Sequence, residues 1–378
     1  MIEARFAIST PRKWAHSPRK KGADAEVTGL VQSPFPVASN KMGVTVVVWR
    51  SAICLGFRRI RRIASTVSDP VGGHFFFVGK DFKMKKTVFT GAATALVTPF
   101  DENGVNYEKL GTLIDWQIES GIDALVVCGT TGEASTMTDD EHRMVIDYSV
   151  KRAAGRVPVI AGAGSNDTAY ALDLVKCAEQ SGADAMLVVT PYYNKCTQTG
   201  LIQMFTQIAD ASSKPIILYN VPSRTGVNIT PDTYAILAEH ENIVAIKEAG
   251  GNISHVVETM ARIGDKIDLY SGNDDQIVPI LSMGGKGVIS VLSNLLPAET
   301  SEMCKAFFRG DVKKAAEMQC HYFDLITALF SEVNPIPVKA AMAAMGFCED
   351  YLRLPLTQME EGHRKVLLDL MRKENLIK

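Results

Sequence analysis

Lys247 closes the run Asn242-Ile243-Val244-Ala245-Ile246-Lys247-Glu248-Ala249-Gly250-Gly251. A β-branched apolar run that meets a lysine and then two glycines reads as a buried strand delivering one amine to its C-terminal end. Burying an unpaired ammonium is costly. Either the lysine reaches water or pairs with Glu248, or it is kept neutral for chemistry. A desolvated, neutral amine attacks a ketone to form a Schiff base. The imine withdraws electrons, so a proton on the neighbouring carbon becomes removable and the resulting enamine is a carbon nucleophile. Such chemistry needs a proton shuttle, and a tyrosine hydroxyl near the amine suits the task. It also needs donors for a substrate carboxylate. Gly129-Thr130-Thr131-Gly132, a glycine-flanked turn expected to open a helix, offers backbone N–H groups and two hydroxyls.

These residues need a scaffold, and from Thr90 onward a repeating unit supplies one. An apolar strand ends in small or polar residues, an amphipathic helix follows, and a glycine or asparagine stops it. Ser120-Gly121-Ile122-Asp123-Ala124 and Ser181-Gly182-Ala183-Asp184-Ala185 show the same junction twice, with the glycine in the left-handed conformation at a helix end. The pattern predicts eight strands near 93–97, 123–127, 157–161, 185–189, 215–219, 243–247, 268–271 and 287–291. All are continuous apolar runs, as in a parallel sheet covered by helices. Eight such units fit an α/β fold of the (β/α)₈ TIM-barrel type. An open doubly wound sheet is the rival, and no Gly-x-Gly-x-x-Gly follows the first strand to support it. After Pro297 the pattern is helical only, with helices expected at 299–308, 311–330, 335–345 and 357–374. The chain therefore divides into an amino-terminal segment 1–83, a barrel 84–297 and a C-terminal helical region 298–378.

Residues 1–83 differ in character. They hold 14 Lys/Arg against 5 Asp/Glu, whereas the remainder holds 26 against 37. Arg12-Lys13, Arg19-Lys20-Lys21 and Arg58-Arg59-Ile60-Arg61-Arg62 are basic clusters without a sustained helical or strand period. The segment reads as an organelle-targeting peptide or, in preference, as sequence upstream of a native start at Met84-Lys85-Lys86; in either case it is expected to be disordered and not catalytic. The acidic remainder has no basic stripe, which argues against nucleic acid. No apolar run approaches the roughly 20 residues of a membrane span. The seven cysteines lack Cys-x-x-Cys spacing, which favours a reducing, cytoplasmic setting and speaks against a zinc site. No His/Cys/Asp metal constellation is present, so neither metal nor cofactor is expected. Gly284-Gly285-Lys286-Gly287 is read as a turn into the eighth strand and not as a phosphate loop.

In a TIM barrel the chemistry lies at the C-terminal strand ends. Those ends carry Thr98, Thr130 and Thr131, Tyr192 and Tyr193, Tyr219 with Arg224, Lys247, Gly272 and Ile289. Gly129-Thr130-Thr131-Gly132-Glu133, Pro191-Tyr192-Tyr193-Asn194-Lys195, Tyr219-Asn220-Val221-Pro222-Ser223-Arg224-Thr225-Gly226 and Lys247-Glu248 together resemble the 4-hydroxy-tetrahydrodipicolinate synthase (dihydrodipicolinate synthase) family, from about Met84 to the C-terminus. The resemblance implies that Lys247 forms an imine with pyruvate. It implies a proton relay of Tyr219, Thr130 and Tyr193, the last reaching in from a neighbouring subunit of a homotetramer built as a dimer of dimers. It further implies that Thr131 holds the pyruvate carboxylate, that Arg224 binds the carboxylate of L-aspartate 4-semialdehyde, and that Ile289 and Gly272 border the site. Cys196 stands where the family commonly has proline, which implies a looser tyrosine loop. The pocket that binds lysine as inhibitor in some relatives is only partly matched: Ser135, His142, Asn166 and Tyr192 are comparable. Asp139 replaces a histidine there and Tyr170 an acidic residue, so inhibition by lysine is expected to be weak or absent. The nearest alternatives are N-acetylneuraminate lyase and the 2-keto-3-deoxy-sugar-acid aldolases. Arg224 with two consecutive threonines favours the semialdehyde. A non-catalytic barrel is the alternative of a different class, and intact Lys247, Tyr219 and Thr130 argue against it.

Overall fold

The computed structural model describes residues 85–378, together with two short strands, Val67–Ser68 and His74–Phe75, that pair antiparallel. Those two strands fall in a separate unit, residues 1–79. The rest of the expectation for 1–83 lies outside the described residues.

Eight strands close into a barrel: β1 (Gly91–Ala95), β2 (Ala124–Val127), β3 (Val159–Gly162), β4 (Ala185–Val189), β5 (Ile216–Asn220), β6 (Ile243–Glu248), β7 (Asp268–Ser271) and β8 (Gly287–Ser290). Each pairs in parallel with the next in sequence, and β8 pairs with β1 to complete the ring. Helices α1 (Tyr107–Glu119), α2 (Asp139–Ala153), α3 (Thr168–Gln180), α4 (Gln198–Asp210), α5 (Pro231–Leu237), α6 (Ile253–Ile263), α7 (Ile277–Ser282) and α8 (Pro297–Phe308) follow the eight strands in turn. The expected TIM barrel is thus the fold. Helices α9 (Val312–His321), α10 (Phe323–Leu329), α11 (Ile336–Ala344) and α12 (Glu361–Lys373) come after it. The single helix expected over 311–330 is two, because Tyr322 at φ −85°, ψ 3° interrupts it. The strand expected over 93–97 runs instead from Gly91, at φ +116°, to Ala95.

Side-chain alternation sorts the strand residues into two cores. Ala93, Ala95, Ala124, Val126, Ile160, Ala185, Leu187, Ile217, Ala245, Tyr270 and Ile289 fill the interior. Ala92, Leu125, Ala161, Met186, Leu218, Ile246, Leu269 and Val288 face the helices. Phe89 stacks on Tyr270, ring centroids 4.2 Å apart, and the Tyr270 hydroxyl donates to the Phe89 carbonyl at 2.7 Å. Helix starts follow local chemistry. Thr138 and Glu141 form a reciprocal capping box at α2, and Asn106, Asp167, Thr197, Thr230 and Asn252 each cap a helix with a side-chain oxygen. Gly121 and Gly182 adopt φ +85° and +88°, as the repeated Ser-Gly junction predicts.

Strand β6 carries an irregularity. Its pairing with β5 shifts between Ile243 and Ala245, so Val244 is an extra residue. Ile243 belongs to the helix-facing core, whereas Ala245 lies in the interior. Strict alternation would put both on one face. The bulge reconciles them and leaves Lys247 level with Tyr219 on β5 and Tyr270 on β7.

The ring closes where Gly287 pairs with Gly91. A Cβ on Gly287 would stand 1.8 Å from the Gly91 carbonyl oxygen. That clash is with backbone and has no side-chain escape. Gly287→Ala is therefore expected to cost about 3 kcal/mol or more, at the top of the usual range for overpacking. The corresponding fall in the thermal midpoint is about 5 °C or more, read by circular dichroism; an unchanged midpoint would mean that the seam adapts.

Candidate active site

Lys247 is the penultimate residue of β6, at its C-terminal end, and is 6% exposed. Its Nζ lies 4.3 Å from the centroid of the Tyr219 ring. Among the described residues it forms no salt bridge. Glu248, the partner one sequence reading offered, points elsewhere: its carboxylate accepts from Asn220 Nδ2 at 3.1 Å, the Tyr234 hydroxyl at 3.1 Å and the Gly250 N–H at 2.7 Å. Burial lowers the Lys247 pKa to about 7, with Arg224 adding to the effect and the Asp274 carboxylate opposing it. About half of the amines are then neutral at pH 7, against fewer than about one in a thousand for an ordinary lysine.

Tyr219 is buried at the end of β5. Burial raises the pKa of its phenol, while Arg224 and a hydrogen bond with the Thr130 side chain work in the other direction. Lys247, Tyr219 and Thr130 therefore lie near one another at one end of the barrel. The turn that carries Thr130 and Thr131 is tightened by Gly132 N–H to Gly129 O and Glu133 N–H to Thr130 O, both 3.1 Å. It does not open α2, contrary to expectation. A 3₁₀ turn, Ala134–Thr136, follows, and α2 starts at Asp139 with its own capping box. The local N–H groups of the turn, and not the dipole of α2, are what a carboxylate could meet.

Thr131 is buried, and its Oγ1 accepts from Asn334 Nδ2 at 3.0 Å. Arg224, in the short helix Pro222–Thr225 after β5, donates from Nη2 to the Asn334 carbonyl at 3.1 Å. Ile289 is buried in the barrel interior. Gly272 donates its N–H to the Glu248 carbonyl at 2.7 Å. A Cβ there would stand 3.2 Å from Lys247 Cε and 2.7 Å from the Ala249 Cβ, so the glycine leaves room for the lysine side chain. Tyr193 is not brought to the site within the chain: it is 91% exposed, at φ +68°.

A cavity of about 520 Å³ leads to this cluster, lined among others by Thr130, Tyr219, Arg224, Ser135, His142 and Tyr170. In its outer part the Tyr170 hydroxyl donates to Asp139 Oδ1 at 2.8 Å, and Arg143 Nε donates to Asp139 Oδ2 at 2.9 Å. Burial lowers the pKa of His142, whose Nε2 lies 2.8 Å from the Gly162 carbonyl. Gly284-Gly285-Lys286 closes α7 and leads into β8 at the other end of the barrel, beside Lys85 and Asp268, as a turn.

Sequence reasoning missed Asn334 and Asp274. Asp274 Oδ2 accepts from the Val291 and Leu292 N–H groups at 2.9 Å each and so holds the backbone just beyond Ile289. Asp274 was visible at a strand end, but its direction was not. Asn334 carried no local signal at all, since its partner Thr131 lies 203 residues away.

The sequence profile of the Dihydrodipicolinate synthetase family matches residues 88–374. The chain belongs to this family. It is 56% identical over 290 residues to the 4-hydroxy-tetrahydrodipicolinate synthase of Alkaliphilus oremlandii, covering 77% of this chain and 100% of that one. The crystal structure of dihydrodipicolinate synthase from Aquifex aeolicus superposes with a TM-score of 0.75 at 47% identity, over 76% of this chain and 99% of that one. The dihydrodipicolinate synthase of Acinetobacter baumannii, solved in complex with pyruvate, matches at 42% identity and a TM-score of 0.75, over 77% and 100% of the two chains. The family assignment agrees with the resemblance drawn from the strand ends and gives the buried amine its context.

The Gly272 contact yields a direct check. Gly272→Ala pushes against Lys247 Cε and the Ala249 Cβ and is expected to cut turnover about tenfold or more, a displacement of the reacting group of the kind that is known to be expensive. The thermal midpoint should fall by only a few degrees. Turnover within twofold of the parent would show that the lysine has slack.

Proposed function

We propose that this chain condenses pyruvate with L-aspartate 4-semialdehyde through a Schiff base on Lys247, giving 4-hydroxy-tetrahydrodipicolinate, the committed product on the way to diaminopimelate and lysine. The carrying observation is the buried, salt-bridge-free Lys247 amine with Tyr219 and Thr130 beside it. The neutral Nζ attacks the pyruvate ketone and water leaves, forming the imine. Loss of a proton from the methyl carbon gives the enamine, which adds to the aldehyde carbon as the new oxyanion takes up a proton. The substrate's own amine then attacks the imine carbon and releases Lys247 as the ring closes. Tyr219, beside Thr130, moves these protons, a role its closeness to the Lys247 amine supports. Thr131 and the neighbouring N–H groups receive the pyruvate carboxylate, and Arg224 at the mouth receives that of the semialdehyde. Ile289 and Gly272 shape the floor. No step in this scheme calls on a metal or cofactor. The sugar-acid aldolase reading has less support, because Arg224 together with two consecutive threonines favours the semialdehyde.

Trapping tests the assignment. Incubation with pyruvate followed by borohydride should add one pyruvate-derived group at Lys247, found by mass spectrometry. Because burial lowers the amine's pKa, the neutral form dominates above about pH 7 and is lost below it. The trapping rate should therefore rise with pH and reach half its maximum near 7, where an ordinary lysine would need a pH above about 10. An adduct elsewhere, or none, would reject the site.

The tyrosine relay and the assembly belong to the same proposal. Tyr193 stands exposed on a loop where Lys195 also adopts a left-handed backbone, φ +50°. A tyrosine held so far from its own site suits one that completes a neighbour's, in a homotetramer built as a dimer of dimers. Mixed oligomers of Lys247→Ala and Tyr193→Phe chains should then regain activity that neither has alone; no recovery after dissociation and reassembly would place Tyr193 outside the reaction. The six described cysteines are free, the usage expected in a reducing cytoplasm.

A further inference from the structure

Lys339 on α11 and Glu133, in the turn after β2, form an ion pair whose side chains are both 0% exposed. Neither group has a part in the reaction as written above. Burying two ions is a poor route to stability, since apolar side chains of similar volume commonly serve as well. An ion pair does supply fixed direction and separation, which apolar packing supplies less sharply. The surroundings point to that use. Glu133 is held at φ +57°, a conformation unusual for a residue with a side chain, and its Oε2 is buried without a hydrogen-bond partner among the described residues. Its N–H donates to the Thr130 carbonyl at 3.1 Å, so its position and that of the Thr130–Thr131 turn are linked.

The grip has a second point. Asn334, a few residues before Lys339, donates to Thr131 Oγ1 and receives Arg224. Phe100 is flanked by Lys339 Nζ at 4.4 Å and by the Arg353 guanidinium carbon at 4.3 Å. Arg353 in turn binds both oxygens of Glu141 at 2.6 Å and the Thr136 carbonyl at 3.0 Å. The segment beyond the barrel thus holds both ends of the stretch 130–141. We infer that the Lys339–Glu133 ion pair is a positioning device that sets the Thr130–Thr131 turn over the Lys247 amine, making the C-terminal helical region part of pyruvate recognition. The inference rests on the reading of Thr131 as the holder of the substrate carboxylate.

The test compares full-length parent, Thr131→Val and the double variant Glu133→Met/Lys339→Met, which conserves volume and leaves no buried charge unpaired. The double variant is expected to keep its thermal midpoint within a few degrees, yet to raise the KM for pyruvate about tenfold, as loss of a carboxylate contact would. A KM within twofold of the parent would overturn the inference. Thr131→Val separates the premise: if it raises KM and the double variant does not, only the positioning role fails. If Thr131→Val leaves KM unchanged, the carboxylate reading fails and the inference with it. Amide hydrogen exchange on the parent decides the matter should the double variant not fold. Pyruvate should slow exchange in residues 129–134 and in α11 together; protection confined to 129–134 would overturn the inference.

Discussion

Removing one amine from water is the constraint on which the site depends. The barrel interior that surrounds Lys247 is mostly alanine, valine, isoleucine and leucine, with the rings of Phe89, Tyr219 and Tyr270 among them, so the dominant influence on its charge is burial. A closed ring is what makes that possible, because every strand then has two neighbours and no edge admits solvent. The Asp274 carboxylate, which favours the charged form, is occupied with two backbone N–H groups of the segment after β8. Glu248, adjacent in sequence, is turned into its own network with Asn220 and Tyr234. Asp274 and Glu248 thus each have structural partners other than the lysine, and burial keeps the amine's pKa low.

The second constraint is positional. On the proposed reaction the ketone must arrive with its carboxylate fixed, and the Thr130–Thr131 turn proposed for that task is short and lies outside the strands. Its anchorage comes from the other end of the chain, through Asn334, Lys339 and Arg353. The helices beyond α8 therefore do more than cover apolar surface.

The division between what the sequence revealed and what it concealed follows the range of the interactions. Lys247, Tyr219, Thr130 and Arg224 stand at the ends of apolar runs, and a count of runs was enough to gather them at one mouth. The left-handed glycines at 121 and 182 were legible because helix termination is local. Asn334 and Lys339 were not, since each meets a partner more than 200 residues away. The bulge at Val244 left no mark on hydrophobicity, because the residues around it are apolar in either geometry, and the break at Tyr322 has no glycine or proline beside it to announce it. Tyr193 marks another boundary: within its own chain it stands exposed, away from the cluster at the strand ends.

The bulge in β6 carries an implication for how this enzyme can vary. With Val244 present, Ile243 serves the outer core and Lys247 the inner one. Removal of a single residue from the 243–246 stretch would leave a strand still apolar and still able to pair, but its parity would invert. Either the isoleucine would be forced inward or the amine would turn toward the helices, with no change in composition to announce it. Substitutions among aliphatic residues there are tolerable in principle; a change of length is not. For this strand, arithmetic is inherited more strictly than chemistry.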